Sequence, residues 1–272
     1  KPLPWGAKNT FLKAQVEEYG LFPILSQITS SSRISGLVVR GEYGFIVGAP
    51  SDHAVLATYE ETGTWSPRIN QLLIDYFDSA GGGSYIDIGA NIGLTTIPVA
   101  NNSKVACYCF EPEPNNFKFL KNNIKQNCPH NNVSVFNLAI YERKSELEFE
   151  LSPHNYGDYR IRAGGQGSRL GENSWETIKV TADALDNNVP DLKTPLAIKI
   201  DTQGAEPYVI AGGRATMEKA NLVVMEFSPY LMSRMGSDSS IVFDYILNFP
   251  KVTIAMGDHD LATFVTGKEA VK

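Results

Sequence analysis

Long apolar runs are missing from this 272-residue chain. No stretch approaches the roughly 20 residues that a bilayer span requires, so no membrane partner is expected. The N-terminus carries neither a basic segment nor an apolar core of the signal-peptide kind, and the expected location is cytoplasmic. Basic charge is in deficit as well. With 24 Lys and Arg against 30 Asp and Glu, a net charge of -6 and a pI near 5.3, the chain lacks the cationic excess of phosphate binders, and no nucleic-acid partner is expected. Cysteine is scarce. Cys107, Cys109 and Cys128 cannot all pair with one another, and they read as reduced thiols. What remains is the composition of an ordinary globular protein, 43% apolar, expected to form one large domain with at most a small appendage.

The first 80 residues read as an N-terminal extension. A short helix is predicted over Phe11 to Tyr19, and two strands joined at Arg40 to Tyr43 lie within Gly36 to Val47. Ser66-Pro67 marks a helix start for the amphipathic run Arg68 to Phe77, which Gly81-Gly82-Gly83 ends. From residue 81 to 272 the pattern changes to short apolar strands alternating with helices. That is the signature of an α/β fold with a mostly parallel sheet and helices on both faces. Strands are expected at 85–89, 105–110, 133–137, 196–201 and 222–227, and helices near 93–100, 114–126, 207–218 and 239–248. Strands 145–151 and 176–182, of antiparallel type, bracket the glycine-rich stretch 152–174, read as a loop or lid over the site. Strands near 251–256 and 261–265 are expected to close the sheet.

In Tyr85-Ile-Asp-Ile-Gly-Ala-Asn-Ile-Gly93 a buried strand carrying Asp87 runs into Gly89, Ala90, Asn91 and Gly93 and then into a helix. Glycines at such a turn let a ligand approach the backbone, and the helix start offers unpaired N–H groups. The G-x-x-x-G spacing differs from the G-x-G-x-x-G of pyrophosphate binders. It suits instead the amino-acid part of S-adenosylmethionine, for which Asp87 and Asn91 are candidate polar contacts. About 20 residues on, the next strand ends in Phe110-Glu111-Pro112-Glu113-Pro114. An acid at that strand tip is placed to accept hydrogen bonds from two ribose hydroxyls. Glu111 is the better candidate, while Glu113 before Pro114 reads equally as a helix-capping charge.

These segments resemble the FkbM family of methyltransferases. The resemblance rests on Asp87 to Gly93, Phe110-Glu111-Pro112, Asn137-Leu138-Ala139, the run Lys199-Ile-Asp-Thr-Gln-Gly-Ala-Glu206 and Val224-Met225-Glu226. It covers roughly residues 36 to 250, and K-x-D-x-x-G-x-E is its most specific part. The resemblance implies a class I, Rossmann-like methyltransferase fold, S-adenosylmethionine as methyl donor, and usually a hydroxyl acceptor on a sugar, glycan or polyketide-like metabolite. It implies that Pro112, Asn137 and Ala139 belong with the cofactor-binding residues, the last two beside the adenine. Pro207 directly after the motif glutamate is a departure from the pattern.

Strand alternation puts Lys199 and Asp201 on one side and Ile198 and Ile200 on the other. Asp201 and Glu226 then end neighbouring strands at the edge where open α/β sheets bind ligands, and Glu206 begins the following helix. Three carboxylates and a lysine are thus expected to converge. They suit a general base, a hard cation such as Mg²⁺ as the less favoured reading, or an ion pair that only shapes the pocket. No His or Cys joins the motif, and no metal ligand is assigned. His154, in the 152–174 loop, is a further candidate base. Tyr156, Tyr159, Arg160 and Arg162 of that loop are either acceptor contacts or solvated, and Trp65 and Trp175 read as core. Two alternatives to a methyltransferase remain, a nicotinamide-dependent oxidoreductase and a binding domain that has lost its chemistry. The glycine spacing and the absence of a Tyr-x-x-x-Lys pair disfavour the first, and the intact acidic cluster disfavours the second.

Overall fold

The computed structural model describes residues 35–162, 171–255 and 261–265; the helix expected over Phe11 to Tyr19 lies outside them. The chain opens with an antiparallel hairpin, β1 (Leu37–Gly41) and β2 (Gly44–Gly48), followed by helices α1 (Val55–Thr62) and α2 (Pro67–Ala80). Five strands then form a wholly parallel sheet: β3 (Gly83–Ile88), β4 (Val105–Phe110), β5 (Val133–Phe136), β10 (Leu196–Ile200) and β11 (Leu222–Met225). Their order is β11-β10-β3-β4-β5. The chain builds outward from β3 in one direction, then returns to place β10 on its other side. The carboxyl ends of β3 and β10 therefore flank a topological switch point, where open α/β sheets form their ligand crevice.

Alternation along the strands makes two cores. Tyr85, Cys107, Cys109 and Ala197 face one side of the sheet. They pack with α3 (Thr96–Ala100), α4 (Pro114–Asn127) and α2, and β1 and β2 join the same core through Val39 and Ile46. Ile86, Ile88, Ile198 and Ile200 face the other side, against α5 (Glu206–Gly212), α6 (Arg214–Met217), α7 (Pro229–Met235) and α8 (Ser240–Ile246). With both faces covered, β3 and β10 are buried along their whole length, which accounts for their near-continuous apolar runs.

A second sheet in the order β6-β9-β7-β8 sits beside the crevice. It comprises β6 (Ala139–Ile140), β7 (Ser145–Leu151), β8 (Arg160–Ile161) and β9 (Glu176–Asp183), with β7 and β9 antiparallel along their whole length. Four sequence expectations change. The helix expected over 207–218 breaks into α5 and α6 at Gly212-Gly213, because Gly212 passes so close to Tyr141 that an added Cβ would lie 2.0 Å from its carbonyl oxygen. Ser66 makes no side-chain cap, and Asp52 instead accepts the N–H groups of Ala54, Val55 and Leu56 to start α1. Helices α1 and α7 are additional to those predicted. Strands β12 (Val252–Ala255) and β13 (Leu261–Val265) do not close the sheet, since they pair antiparallel with each other as a separate hairpin. Among the described residues no helix is long and apolar enough to cross a membrane, and all three cysteines are buried free thiols.

Candidate active site

At the switch point the turn after β3 is built by backbone hydrogen bonds. The N–H groups of Gly89 and Ala90 both donate to the Phe110 carbonyl at 3.0 Å, and Gly93 N–H donates to Ala90 O at 2.9 Å. Gly89 has φ of +81°, and a Cβ there would fall 1.9 Å from the Asp201 carbonyl oxygen. Only glycine fits. The ends of β3 and β10 are thereby in direct backbone contact, with Asp201 N–H donating to Ile88 O at 3.0 Å. Asn91 takes a left-handed backbone, φ of +51°, which turns its own N–H onto Glu111 Oε2 at 2.9 Å. Its side-chain amide donates to the Tyr156 carbonyl at 2.9 Å.

Glu111 is 5% exposed and lies at the tip of β4 with its carboxylate in a fork of two backbone donors, Asn91 N–H and Glu113 N–H, both at 2.9 Å. Burial pushes its pKa up to about 8 against the lowering effect of those N–H groups. Glu113 instead turns inward and caps α4, accepting Asn116 N–H at 2.6 Å. The capping reading of Glu113 is the one the geometry gives. Asn137 is exposed and donates to the carbonyls of Glu111 and Pro112, so it braces the strand tip from behind. Pro112, Leu138 and Ala139 line the crevice directly.

Asp87 departs from the expectation of a ligand contact. It is fully buried, and its oxygens accept Thr95 Oγ1 and Thr96 Oγ1 at 2.7 Å each and Lys199 Nζ at 3.2 Å. Asp87 serves as the floor on which Lys199 stands. Lys199 Nζ also donates to Gly89 O at 3.2 Å and reaches Asp201 Oδ2 at 3.6 Å. Burial disfavours the ammonium, but Asp87 and Asp201 outweigh it and push its pKa up to about 12. It remains a cation.

The expected convergence of three carboxylates resolves into two plus one. Asp201 and Glu226 line the crevice at the ends of β10 and β11. Glu206 does not. It is 1% exposed and turned into its own loop, where it accepts Thr202 N–H, Thr202 Oγ1 and Gly204 N–H, all at 3.0 Å. Its placement follows from the loop before α5, whose N–H groups at Thr202 and Gly204 draw the carboxylate. Among the described residues no group of three or more His, Cys, Asp or Glu side chains is arranged to hold a metal ion.

His154 is likewise outside the crevice. It is exposed and stacks edge-on with His53, ring centroids 5.8 Å apart. Its loop neighbours do reach in: Asn155, Tyr156, Gly157, Tyr159 and Ile161 line the crevice, with Tyr156 and Tyr159 rings 4.9 Å apart. Tyr156 is fixed by Ser51 Oγ at 2.6 Å, a contact spanning 105 positions. Arg160 is no acceptor contact. It is 1% exposed, paired with Glu150 and Asp158 and laid over the Trp175 ring. Arg162 donates to Asn173 O at 3.1 Å. Trp65, expected in the core, lies against that core and also lines the crevice. The whole crevice encloses about 1140 Å³ of empty space, counting its open mouth.

Sequence reasoning missed Ser51, Asp52 and Val55, which come from the N-terminal segment, and it gave Gln203 no role. The Asp-x-x-Val-Leu pattern at 52–56 is a readable capping signal; nothing local reports that Ser51 meets Tyr156.

The Methyltransferase FkbM domain family matches residues 87–251. The chain is 28% identical over 183 residues to the 2-O-methyltransferase NoeI of Sinorhizobium fredii, covering 61% of this chain and 74% of that protein. It is 26% identical over 140 residues to the hexuronic acid methyltransferase AglP of Haloferax volcanii, covering 52% and 54%. Among solved structures it resembles the methyltransferase FkbM of Methylobacillus flagellatus with a TM-score of 0.42 and 18% identity, covering 87% of this chain and 54% of that one.

Proposed function

The chain belongs to the FkbM methyltransferase family, and from that premise we propose that it methylates a hydroxyl oxygen of a sugar or glycan with S-adenosylmethionine as donor. The observation that carries the proposal is the link between the donor-side turn and the acid. The Gly89 backbone lies against the Asp201 backbone, and Lys199 Nζ joins Gly89 O at 3.2 Å to Asp201 Oδ2 at 3.6 Å, which sets the carboxylate at the end of β10 beside the turn after β3. The names of NoeI and AglP support the acceptor class.

The residues fit the donor. The side-chain-free turn at Gly89, the buried carboxylate of Glu111 at the tip of β4 and the apolar surface of Leu138 and Ala139 succeed one another along one crevice. In this reading Glu111 accepts the ribose hydroxyls, Leu138 and Ala139 cover the adenine, and Asn91 and the Gly89–Gly93 backbone border the amino-acid end. When bound, S-adenosylmethionine supplies a methyl group on a sulfonium, open to in-line attack by an acceptor oxygen. Asp201 accepts the proton that the acceptor hydroxyl gives up as its oxygen bonds to carbon. Lys199 sets a positive charge 3.6 Å from Asp201 Oδ2 and offsets the negative charge of the site. Tyr156 and Tyr159 present ring edges and faces to the acceptor, a surface suited to the C–H face of a pyranose.

The test is transfer of a labelled methyl group from S-adenosylmethionine to a panel of neutral glycosides and hexuronates, read by mass spectrometry of the product. Asp201→Asn preserves shape but cannot take a proton, so turnover is expected to fall ~10²-fold or more at unchanged donor affinity. Near-normal turnover in that variant removes Asp201 from the chemistry. Binding of NADH in place of the donor would favour an oxidoreductase.

A further inference from the structure

We propose that Gln203 is a positioning residue that ties Asp201 to Glu226 and aims Asp201 at the acceptor. The proposal rests on the methyltransferase reading above for its kinetic arm only. The contribution of Gln203 is made through the two carboxylates.

The geometry is that of an amide bridge. Gln203 Nε2 donates to Asp201 Oδ1 at 2.8 Å and to Glu226 Oε2 at 2.8 Å, so each of its two N–H bonds serves one acid. Asp201 and Glu226 follow the ends of adjacent parallel strands, held in register by Glu226 N–H on Ile200 O at 3.0 Å. Two carboxylates so placed repel each other, and a neutral residue with two parallel donors reconciles them without adding charge. A glutamate at 203 would add a third negative group, and an asparagine is one methylene too short to span both.

The backbone is arranged to deliver that side chain. Gln203 sits in the left-handed region at φ of +55°, an uncommon state for a residue of its size. On one side Thr202 is held by Glu206 through its N–H and its hydroxyl, and on the other Gly204 donates to the same carboxylate and lies against the Leu231 backbone. Glu206 therefore has a purpose outside the crevice, as the buried anchor of the loop that presents Gln203. An unstrained choice at this position, glycine or asparagine, would leave the bridge unmade.

The surroundings of the two acids are unequal. Asp201 has Lys199 at 3.6 Å on its second oxygen. Among the described residues Glu226 has no such close cation; partial burial in the crevice wall, then the charges of Asp201 and Glu206, push its carboxyl above the usual range, with Lys199 opposing from farther away. Asp158, on the segment leading into β8, adds a further negative neighbour to Asp201. Burial and the neighbouring negative charges therefore favour a proton on Glu226. The bridge also occupies one oxygen of each acid with N–H donors, which a divalent cation would have to displace.

The test uses the full chain labelled with ¹³C at Asp and Glu carboxyls, titrated by NMR without any acceptor. Asp201→Asn and Glu226→Gln identify the two signals. The expected wild-type result is a Glu226 titration raised above the ordinary carboxylate range. Gln203→Glu should move the Asp201 titration up by about one unit or more, because a donor becomes a third anion. Gln203→Gly, which is at ease with a positive φ, should keep the melting temperature and the S-adenosylmethionine Kd while kcat on a neutral methyl glycoside falls at least ~10-fold and KM changes little. An Asp201 titration that stays put in Gln203→Glu, or full kcat in Gln203→Gly, overturns the proposal. If Gln203→Glu does not fold, the glycine variant decides. The carboxyl titration needs no acceptor, so a wild-type protein that methylates none of the glycosides defeats the sugar reading while the bridge is still judged on its own.

Discussion

Glu111 gives the most direct quantitative test of the donor site, because its pKa, pushed up to about 8, lies within an accessible range. The donor-free carboxyl is protonated over most of the neutral range, yet accepting two ribose hydroxyls calls for the anion. Donor binding must then expel a proton. For a group of pKa about 8 the charged fraction is roughly 3% at pH 6.5 and 76% at pH 8.5, so affinity should rise about 25-fold across that interval, close to 2 kcal/mol. At pH 7 about 0.9 proton should be released per donor bound, measurable by calorimetry in two buffers of different ionisation enthalpy. S-adenosylmethionine has an amine that titrates nearby, so the measurement is made with 5′-methylthioadenosine, which keeps the ribose hydroxyls and lacks that amine. The sign for stability is opposite. An acid whose folded pKa is raised contributes most below its unfolded pKa, and that contribution is lost as pH rises through about 8, so the thermal shift on adding ligand should be larger at pH 8.5 than at 6.5. In Glu111→Gln the pH dependence should vanish and affinity at pH 8.5 should fall by ~1 to 3 kcal/mol. A pH-independent Kd in the wild type, with no proton released, refutes the assignment of Glu111 to the ribose.

Three further substitutions test the framework. Gly89→Ala meets both a positive φ and a Cβ 1.9 Å from the Asp201 carbonyl; a loss of roughly 2 to 4 kcal/mol in urea unfolding is expected, and an unchanged midpoint would mean the turn is looser than described. Glu113→Ala removes the cap of α4 and should cost about 1 kcal/mol while donor affinity stays within about twofold, whereas a large affinity loss would move the ribose contact from Glu111 to Glu113. Arg234→Met leaves Glu150 without the partner that grips both its oxygens, and a loss of about 3 to 5 kcal/mol in chemical denaturation is expected, partly recovered by adding Glu150→Gln; no loss would show that Arg160 alone satisfies the carboxylate.

The parallel sheet was legible because its determinants are local. Each of β3, β4, β5, β10 and β11 is a mainly apolar run of four to six residues bounded by turn residues, and the switch point follows from the order of glycine turn, acidic tip and Lys-x-Asp strand. Boundaries failed where a distant contact decides them. Nothing in the run 207–218 reports that Gly212 must pass against Tyr141, which is what splits the helix. The start of α7 carries the same signs as α2, Ser-Pro at its head and Gly236 at its end, and was readable by the same rule. Within the site, strand alternation correctly joined Lys199 to Asp201, but it has no bearing on Glu206, whose direction is set by the N–H groups of its own loop.

The crevice wall around Tyr156 and Tyr159 shows most clearly what a local reading cannot supply. Tyr159 and Ile161 flank Arg160, so alternation sends the arginine away from the crevice, and a glycine-rich context suggests that it ends in water. It ends instead in a closed ionic cluster. Glu150 from β7 takes Arg160 on one oxygen and Arg234 from α7 on both, and Glu172 lies 3.8 Å from each arginine while accepting the Tyr230 hydroxyl at 2.6 Å. All four charged side chains are at most 4% exposed. Burying them is costly unless each is paired, and the pairs connect residues as far apart as 84 positions. The cluster binds the second sheet to α7, whose Leu231 in turn packs on Gly204 beside Gln203. The Tyr156–Tyr159 wall and the loop that presents the acidic pair are therefore braced against the same buried charges. Loosening that cluster should disturb both of them together and leave the Gly89 turn and Glu111, held by β3 and β4, in place.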